Sequence, residues 1–422
     1  MNLAVIGSGG REHAICYKLS QSKKIDKLIC IPGNAGTHKI AENIDADITN
    51  FEEIYKIIKK KNIEIVIVGP EKPLTEGISD YLKQRSVRVL GPDKFASQLE
   101  GSKAFMKNLC KKNNIPTANY GIFDNLDEAT KFIEKNGTPI VVKADGLAAG
   151  KGVTICETID EACEATKEIL DGKFKSSKKV VLEEFLEGEE LSYFIIVDKK
   201  SYHFFGSAQD HKRVGEGDKG PNTGGMGAYS PARLLTKELE KKIKEKIIEP
   251  TLKAMRDMGN PYEGFLYAGL MINKKEEPYL IEYNIRMGDP ECQVLMMKLK
   301  TDLLEIVDSA TKNNLNNLKI EWDKNECITI VLCANGYPDK YIKDKEINNL
   351  SKIASNNNNQ IFHAGTYFKE NKFFSKGGRV LNITCSGKSL KEARDQALSN
   401  LNKINWIDGF FRKDIGWRAI KK

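Results

Sequence analysis

Residues 280–291 read LIEYNIRMGDPE. Apolar side chains at Leu280, Ile281, Tyr283 and Ile285 predict a strand over 280–285. Side chains alternate between the two faces of a strand, so Glu282 and Asn284 point the same way. A carboxylate and an amide oxygen so paired are hard ligands suited to Mg2+. Arg286 follows on the other face. The Met-Gly-Asp-Pro turn then brings two further carboxylates, Asp289 and Glu291. In isolation the stretch is also compatible with a solvated strand end, and the rest of the chain decides between the two.

Working outward, a strand at 265–272 is expected to pair with 278–285, and the helix at 236–258, apolar at helical spacing, is read as core. Upstream lies residues 203–232, HFFGSAQDHKRVGEGDKGPNTGGMGAYSPA, with seven glycines between Gly206 and Gly227. A loop that long and Gly-rich inside a compact domain points to function. Lys212 and Arg213 are suited to a carboxylate or phosphate, and His211 to either a general base or a loop-orienting role. Residues 180–192, VVLEEFLEGEELS, read as a strand running into an extended segment. Backbone groups of 184–186 can meet an adenine edge, with Glu183 near its amino group and Glu190 facing ribose hydroxyls. Residues 141–153, VVKADGLAAGKGV, lack the GK[ST] of a Walker loop and read as a Gly-rich flap over phosphates, with Lys143 as a point charge.

The first hundred residues alternate strands (3–6, 27–31, 65–68, 87–90) with helices (12–20, 51–61, 74–84), which predicts a doubly wound parallel α/β domain. Ligands bind such sheets at the carboxyl ends of their strands, here GSGGREHA (7–14), PGNAGT (32–37) and VGPE (68–71). The first loop fails the dinucleotide fingerprint, because Glu12 stands at its sixth position, and this argues against an oxidoreductase. Gly9 and Gly10 suit an anion at a helix N-terminus, with Arg11 as a bidentate donor. A last α/β unit starts near residue 327, with strands at 328–333 and 379–384 and a helix at 390–402.

At 422 residues the chain needs several cores. No apolar run reaches membrane-spanning length, and the start lacks a signal peptide's basic leader. Nine scattered cysteines without a CxxC pair point to free thiols in a reducing cytoplasm, and five histidines show no metal-ligand spacing. The net charge of +8 is spread over the surface without interleaved aromatics, so no nucleic-acid partner is expected.

Taken together, GSGGREHA, PGNAGT, VGPEKPL, QLEGSKAFMK, VVKADGLAAGKGV, EEFLEGEELS, QDHKRVGEGDKGPNTGGMGAYSP, RMGDPE and GGRVL resemble the ATP-grasp ligases. Within them they resemble the phosphoribosylamine–glycine ligases, over nearly the whole chain. The resemblance implies an N-terminal substrate domain (1–118), a lid (119–192), a central catalytic domain (193–326) and a C-terminal domain (327–422). It implies ligation of glycine to 5-phosphoribosylamine with ATP and Mg2+ or Mn2+, through glycyl phosphate, by a cytoplasmic monomer or dimer in purine biosynthesis. By position, Lys103, Lys143, Gly150, Lys151, Gly152, Glu183, Glu184, Phe185, Leu186 and Glu190 are expected around ATP. Glu282 and Asn284 are expected on the metal, and Arg286, Lys143, Asp210 and Lys212 at the reacting groups. Gly9, Gly10, Arg11, Asn34, Gly36, Pro70, Glu71, Asn222, Gly224, Gly225, Met226 and Asp289 are expected around glycine and phosphoribosylamine. Two departures stand out: residues 267–272 hold no acid for a second metal, and Met287 replaces an expected Leu or Phe.

Overall fold

Leu3 and Val5 face one hydrophobic core, whereas Ala4 and Ile6 face another. A strand buried on both faces belongs inside a parallel sheet covered by helices. The computed structural model, which describes residues 1–148, 152–174 and 177–420, contains that sheet. Its order is Glu42–Asn43, Lys27–Pro32, Asn2–Gly7, Ile65–Val68, Arg88–Leu90, all parallel. The helix expected at 74–84 is two, Glu71–Glu76 and Ile78–Lys83, broken at Gly77, whose φ of +100° is the left-handed conformation a glycine tolerates. Pro70 and Glu71 follow just after the carboxyl end of the strand Ile65–Val68.

A four-stranded antiparallel sheet follows, in the order Tyr120–Phe123, Val180–Glu184, Ile140–Ala144, Val153–Cys156. Helices Leu126–Asn136 and Ile159–Leu170 cover it and give it a core of its own, including Ile133, Val142, Ala162 and Leu182. Its Gly-rich loop joins two strands paired Lys143 to Val153. The next strand, Glu189–Val197, pairs along its full length with Gly264–Ile272, so the expected boundary at 192 falls inside a strand of the neighbouring sheet.

That neighbour is a nine-stranded sheet. From one edge it runs Pro278–Asn284, Gly264–Ile272, Glu189–Val197, Tyr202–Asp210, Gly227–Ser230, Glu326–Ala334, Arg379–Gly387, Asn359–His363, with Gly409–Phe410 also on Glu326–Ala334. It therefore passes without interruption into the C-terminal segment. The strand Pro278–Asn284 pairs antiparallel with Gly264–Ile272, as expected, with a bulge that leaves Ile281 as the extra residue between Leu280 and Glu282. The helix at 236–258 contains a π-turn over Lys244–Ile248, and its Leu239, Ile243 and Ile247 are in the core as predicted. All nine cysteines are free. Among the described residues, no helix is long and apolar enough to cross a membrane.

Candidate active site

Two adjoining cavities meet at the end of the strand Pro278–Asn284. The smaller, about 220 Å³, lies between the lid sheet and the edge of the nine-stranded sheet. Val141, Ile155, Phe185, Leu186, Met271 and Ile281 make it apolar, and Lys143, Glu183, Glu184, Glu190 and Asn222 supply polar groups. The larger, about 430 Å³, opens toward the N-terminal domain. Glu282 and Lys212 line both.

Glu282 is a carboxylate in a ring of cations. Burial opposes its ionisation, but Lys212, Lys143, Lys103 and Arg286 outweigh that and hold its pKa below the ordinary carboxylate value. Among the described residues it forms no ion pair of its own. Asn284 is buried beside it, and among the described residues no hydrogen bond is donated to its amide oxygen, the atom that can ligate a cation. An unpaired carboxylate and an uncommitted amide on one cavity fit a hard divalent cation. Three or more His, Cys, Asp or Glu side chains do not cluster as a metal site among the described residues, so the protein side of such a site is lean.

Arg286 lines the same cavity as Glu282 and Asn284, not the opposite face. Side chains alternate along a strand, so position 286 falls on the face of 282 and 284 even as the chain bends at Ile285–Arg286, which corrects the expectation of the opposite face. Its Nε donates to Glu71 (3.2 Å) and its Nη2 to Glu100 (2.8 Å). The second Glu100 oxygen accepts the Ile285 amide (2.8 Å), which pins the strand end. The two carboxyls differ sharply. Burial raises Glu100 to about 7 against the pull of Arg286, whereas Arg286 and Arg11 together overcome burial and hold Glu71 at about 2.

Lys212 pairs with Glu190 (2.8 Å), and Lys103 donates to the carbonyl of Gly146 (3.1 Å). Asp145, at the base of the flap, accepts from Ser102 Oγ and the Ala104 amide (both 3.1 Å), so the flap is docked on the N-terminus of helix Lys103–Lys112. Gly150 and Lys151 lie outside the described residues; Gly146, Leu147, Ala148 and Gly152 line the larger cavity. Glu183 faces inward, with Lys143 on one oxygen (2.9 Å) and Lys107 on the other (2.8 Å). Both lysines are ion-pair neighbours, yet the Oε1 that faces Lys143 is buried without a hydrogen-bond partner among the described residues. Glu184 is exposed where it lines the smaller cavity, and its carboxylate accepts from Asn119 (2.9 Å).

The floor of the larger cavity is acidic. Burial, then the neighbouring Glu291, pushes the Asp210 carboxyl well above its ordinary value. Glu291 accepts from Ser192 Oγ (3.3 Å), which also bonds the hydroxyl of Tyr267 (2.9 Å). Arg379, from the C-terminal GGRV stretch, donates to the carbonyls of Gly224 (2.6 Å) and Asp289 (2.5 Å), joining the Gly-rich loop to the turn after the strand.

Several expected contacts are used internally. The Gly9 amide donates to Glu12 (2.6 Å) and the Arg11 amide to Asp289 (3.3 Å), so side-chain carboxylates already occupy this helix N-terminus. A Cβ on Gly10 would stand 2.4 Å from Asn382 and 2.5 Å from Gln293, so this glycine serves close packing. Arg11 lines the cavity but is tied to Glu12 (2.6 Å) and the Met287 carbonyl (3.1 Å). Asn34 is buried and staples loops together through Ser8, Gly9 and His363 carbonyls and the Gly36 amide. Met226 is in the C-terminal core against Cys333. Gly9, Gly10, Asn34, Gly36, Gly225 and Met226 thus do not line the larger cavity, whereas Arg11, Pro70, Glu71, Gly224 and Asp289 do. His211 accepts the Gly416 amide (3.1 Å) and orients its loop; burial and then Arg412 lower its pKa to about 4.

Sequence reading passed over Glu100, Lys107, Tyr267 and Arg379 and left Glu291 without a role. A signal existed for Lys107: it sits on the buried face of its helix with Met106 and Cys110, where an unpaired lysine is not tolerated.

Comparison with known proteins follows the same outline. Models of the phosphoribosylglycinamide synthetase N domain, ATP-grasp (A) domain and C domain match residues 1–100, 101–292 and 327–418. A phosphoribosylamine–glycine ligase of Brucella melitensis is 47% identical over 423 residues, covering 100% of this chain and 99% of the relative. A chloroplastic one of Arabidopsis thaliana is 49% identical, covering 98% and 79%. The crystal structure of the phosphoribosylamine–glycine ligase of Thermotoga maritima superposes with a TM-score of 0.87 at 33% identity, covering 98% of this chain and 100% of that one. A biotin carboxylase of Campylobacter jejuni shares the fold, with a TM-score of 0.77 at 16% identity, covering 100% and 95%.

Proposed function

The chain belongs to the phosphoribosylglycinamide synthetase family, and from that premise we propose which of its residues carry the family's reaction. It is a carbon–nitrogen ligase with the ATP-grasp fold that joins glycine to 5-phosphoribosylamine, converting ATP to ADP and phosphate in purine biosynthesis. A carboxylate does not condense with an amine unaided, because oxide is a poor leaving group. In our reading the glycine carboxylate attacks the γ-phosphate of ATP and becomes glycyl phosphate. The amine of phosphoribosylamine then displaces phosphate to form the amide.

We assign ATP to the smaller cavity. The adenine lies among Val141, Ile155, Phe185, Leu186 and Met271, the ribose near Glu190, and the phosphates toward Lys103, Lys143, Gly146 and Gly152. A divalent cation, Mg2+ in our reading, is held by Glu282 and Asn284 and neutralises phosphate charge when bound. Lys212 and Arg286 supply fixed positive charge where the transferred group passes, since such a transfer needs positioning and neutralisation more than a protein nucleophile. The Asp210–Glu291 floor suits the glycine ammonium. Pro70, Glu71, Arg11, Gly224 and Asp289 form the wall assigned to phosphoribosylamine. The lid, taken as residues 119–184 with its own core, closes over ATP and shields the acyl phosphate from water. We take the protein as a cytoplasmic monomer.

The observation that carries these assignments is Glu282, an unpaired carboxylate among four cations where the two cavities join. The test is ADP release with glycine and freshly generated phosphoribosylamine, each omitted in turn. ADP that forms only with both present supports the assignment. ADP formed with a different amino acid or amine leaves the ATP site standing and overturns the substrate wall.

A further inference from the structure

Lys107 is fully buried, in the middle of helix Lys103–Lys112, and lines neither cavity. Its Nζ lies 2.8 Å from Glu183 Oε2 and donates to Thr117 Oγ1 at 2.7 Å. Thr117 passes the connection to the carbonyl of Leu280 (2.6 Å), on the strand that carries Glu282. Lys143 Nζ lies 2.9 Å from the other Glu183 oxygen, an ion-pair contact in which that oxygen accepts no hydrogen bond among the described residues. One buried carboxylate thus serves two ammonium groups. Lys143 and Glu183 sit on adjacent lid strands and line the nucleotide cavity; Lys107 belongs to the helix beneath.

The arrangement poses a charge problem. Lys143 is the lid lysine expected on the nucleotide phosphates, yet it is engaged with Glu183. Moving it to a phosphate would leave a buried carboxylate, and an unpaired buried charge is strongly unfavourable. Lys107 removes that obstacle, because Glu183 stays paired whichever partner Lys143 takes. We propose that Lys107 is a positioning residue for nucleotide binding: it keeps Glu183 neutralised so that Lys143 is free to transfer from Glu183 to a phosphate. The proposal rests on the assignment of the smaller cavity to ATP.

The experiment is calorimetric titration of the full chain with a non-hydrolysable ATP analogue and Mg2+, using Lys107→Met, Glu183→Gln, the double variant and Lys143→Met. Lys107→Met is expected to weaken binding about tenfold or more, because Glu183 then holds its one remaining cation. Glu183→Gln is expected to bind at least as tightly as the parent, and the double variant to match Glu183→Gln. That rescue separates the proposal from a packing role, in which the double variant would be as weak as Lys107→Met. Parental affinity in Lys107→Met, or a double variant weaker than Glu183→Gln, overturns the proposal. The second comparison stands even if Lys107→Met alone does not fold, since the double variant removes both buried charges. Unchanged affinity in Lys143→Met overturns the cavity assignment itself, and with it this inference. Weakened affinity there with parental affinity in Lys107→Met overturns the inference alone.

Discussion

Glu282 owes its ionisation to cations on three separate segments: Lys103 on a helix, Lys143 on the lid and Lys212 on the Gly-rich loop. Glu282→Gln keeps the volume and removes the charge. Turnover is expected to fall on the order of 10³-fold, measured as ADP release at saturating metal, while the thermal midpoint stays within a few degrees. Glu100 supplies the pH dependence. Its carboxyl titrates at about 7 in the fold against 4.5 ordinarily, because burial outweighs Arg286. The native chain therefore holds this proton more tightly than the unfolded chain, and ionising Glu100 costs stability as pH rises from 4.5 through 7. Function runs the other way. Below pH 7 the protonated carboxyl is a weaker acceptor for Arg286, so kcat is expected to fall on an acid limb with an apparent pKa near 7, and Glu100→Gln flattens that limb. That Glu282 and Asn284 share a face was legible because a two-residue spacing on a strand carries its own geometry. Glu100 was not, because the partner that gives it meaning lies 186 residues away.

At the scale of elements, the Gly-rich loop is held from outside. Arg412, buried near the C-terminus, donates to the Arg213 carbonyl (2.8 Å) and to Asp218 (3.1 Å). The Gly217 amide reaches Asp414 (2.8 Å) and the Lys413 amide reaches Glu216 (3.0 Å). These bonds strap the hairpin Arg213–Gly215/Lys219–Asn222, whose ends bear Lys212, Asn222 and Gly224. Arg412→Ala leaves Asp218 with Arg418 alone and is expected to cost about 3 kcal/mol of stability. Tryptic cleavage within 212–219 should accelerate and the KM for glycine should rise; an unchanged digestion pattern would detach the strap from the loop. The glycine count announced an ordered functional loop, but nothing local revealed what orders it. His211 shows the same limit: its two readings could be separated only once the Gly416 amide was found on its ring. Likewise GSGGREHA looked like an anion-binding turn because its glycines and helix start are right for one. One of the acids that fill it, Glu12, lies in the motif itself, but the other, Asp289, lies 278 residues from Arg11.

At the scale of the whole molecule, two neutral histidines stand at seams. His13, on the N-terminal helix, accepts the His363 amide (2.8 Å), with Lys39 nearby. His211 joins the Gly-rich loop to the C-terminal segment. Burial lowers His13 to about 3 and His211 to about 4, from 6.5. Between those values and 6.5 the unfolded chain binds more protons, so their contribution is complete above pH 6.5 and is lost as pH falls. Each should add about 1.4 kcal/mol per pH unit to the loss of stability between pH 6 and 4. Equilibrium denaturation across that range checks it, and His13→Gln should shed one proton's worth of slope. The nine-stranded sheet bears on descent as well as on stability. Family models parcel the chain into three domains, yet Gly227–Ser230 and Glu326–Ala334 are hydrogen-bonded neighbours on opposite sides of one of those partitions. A gene fission between them would strip a ladder from both halves and bare two sticky edges. Grafting the last hundred residues from a relative would have to match strand register residue for residue. The heritable unit of this fold is therefore the sheet, and recombination is expected to respect its ends rather than the divisions drawn along the sequence.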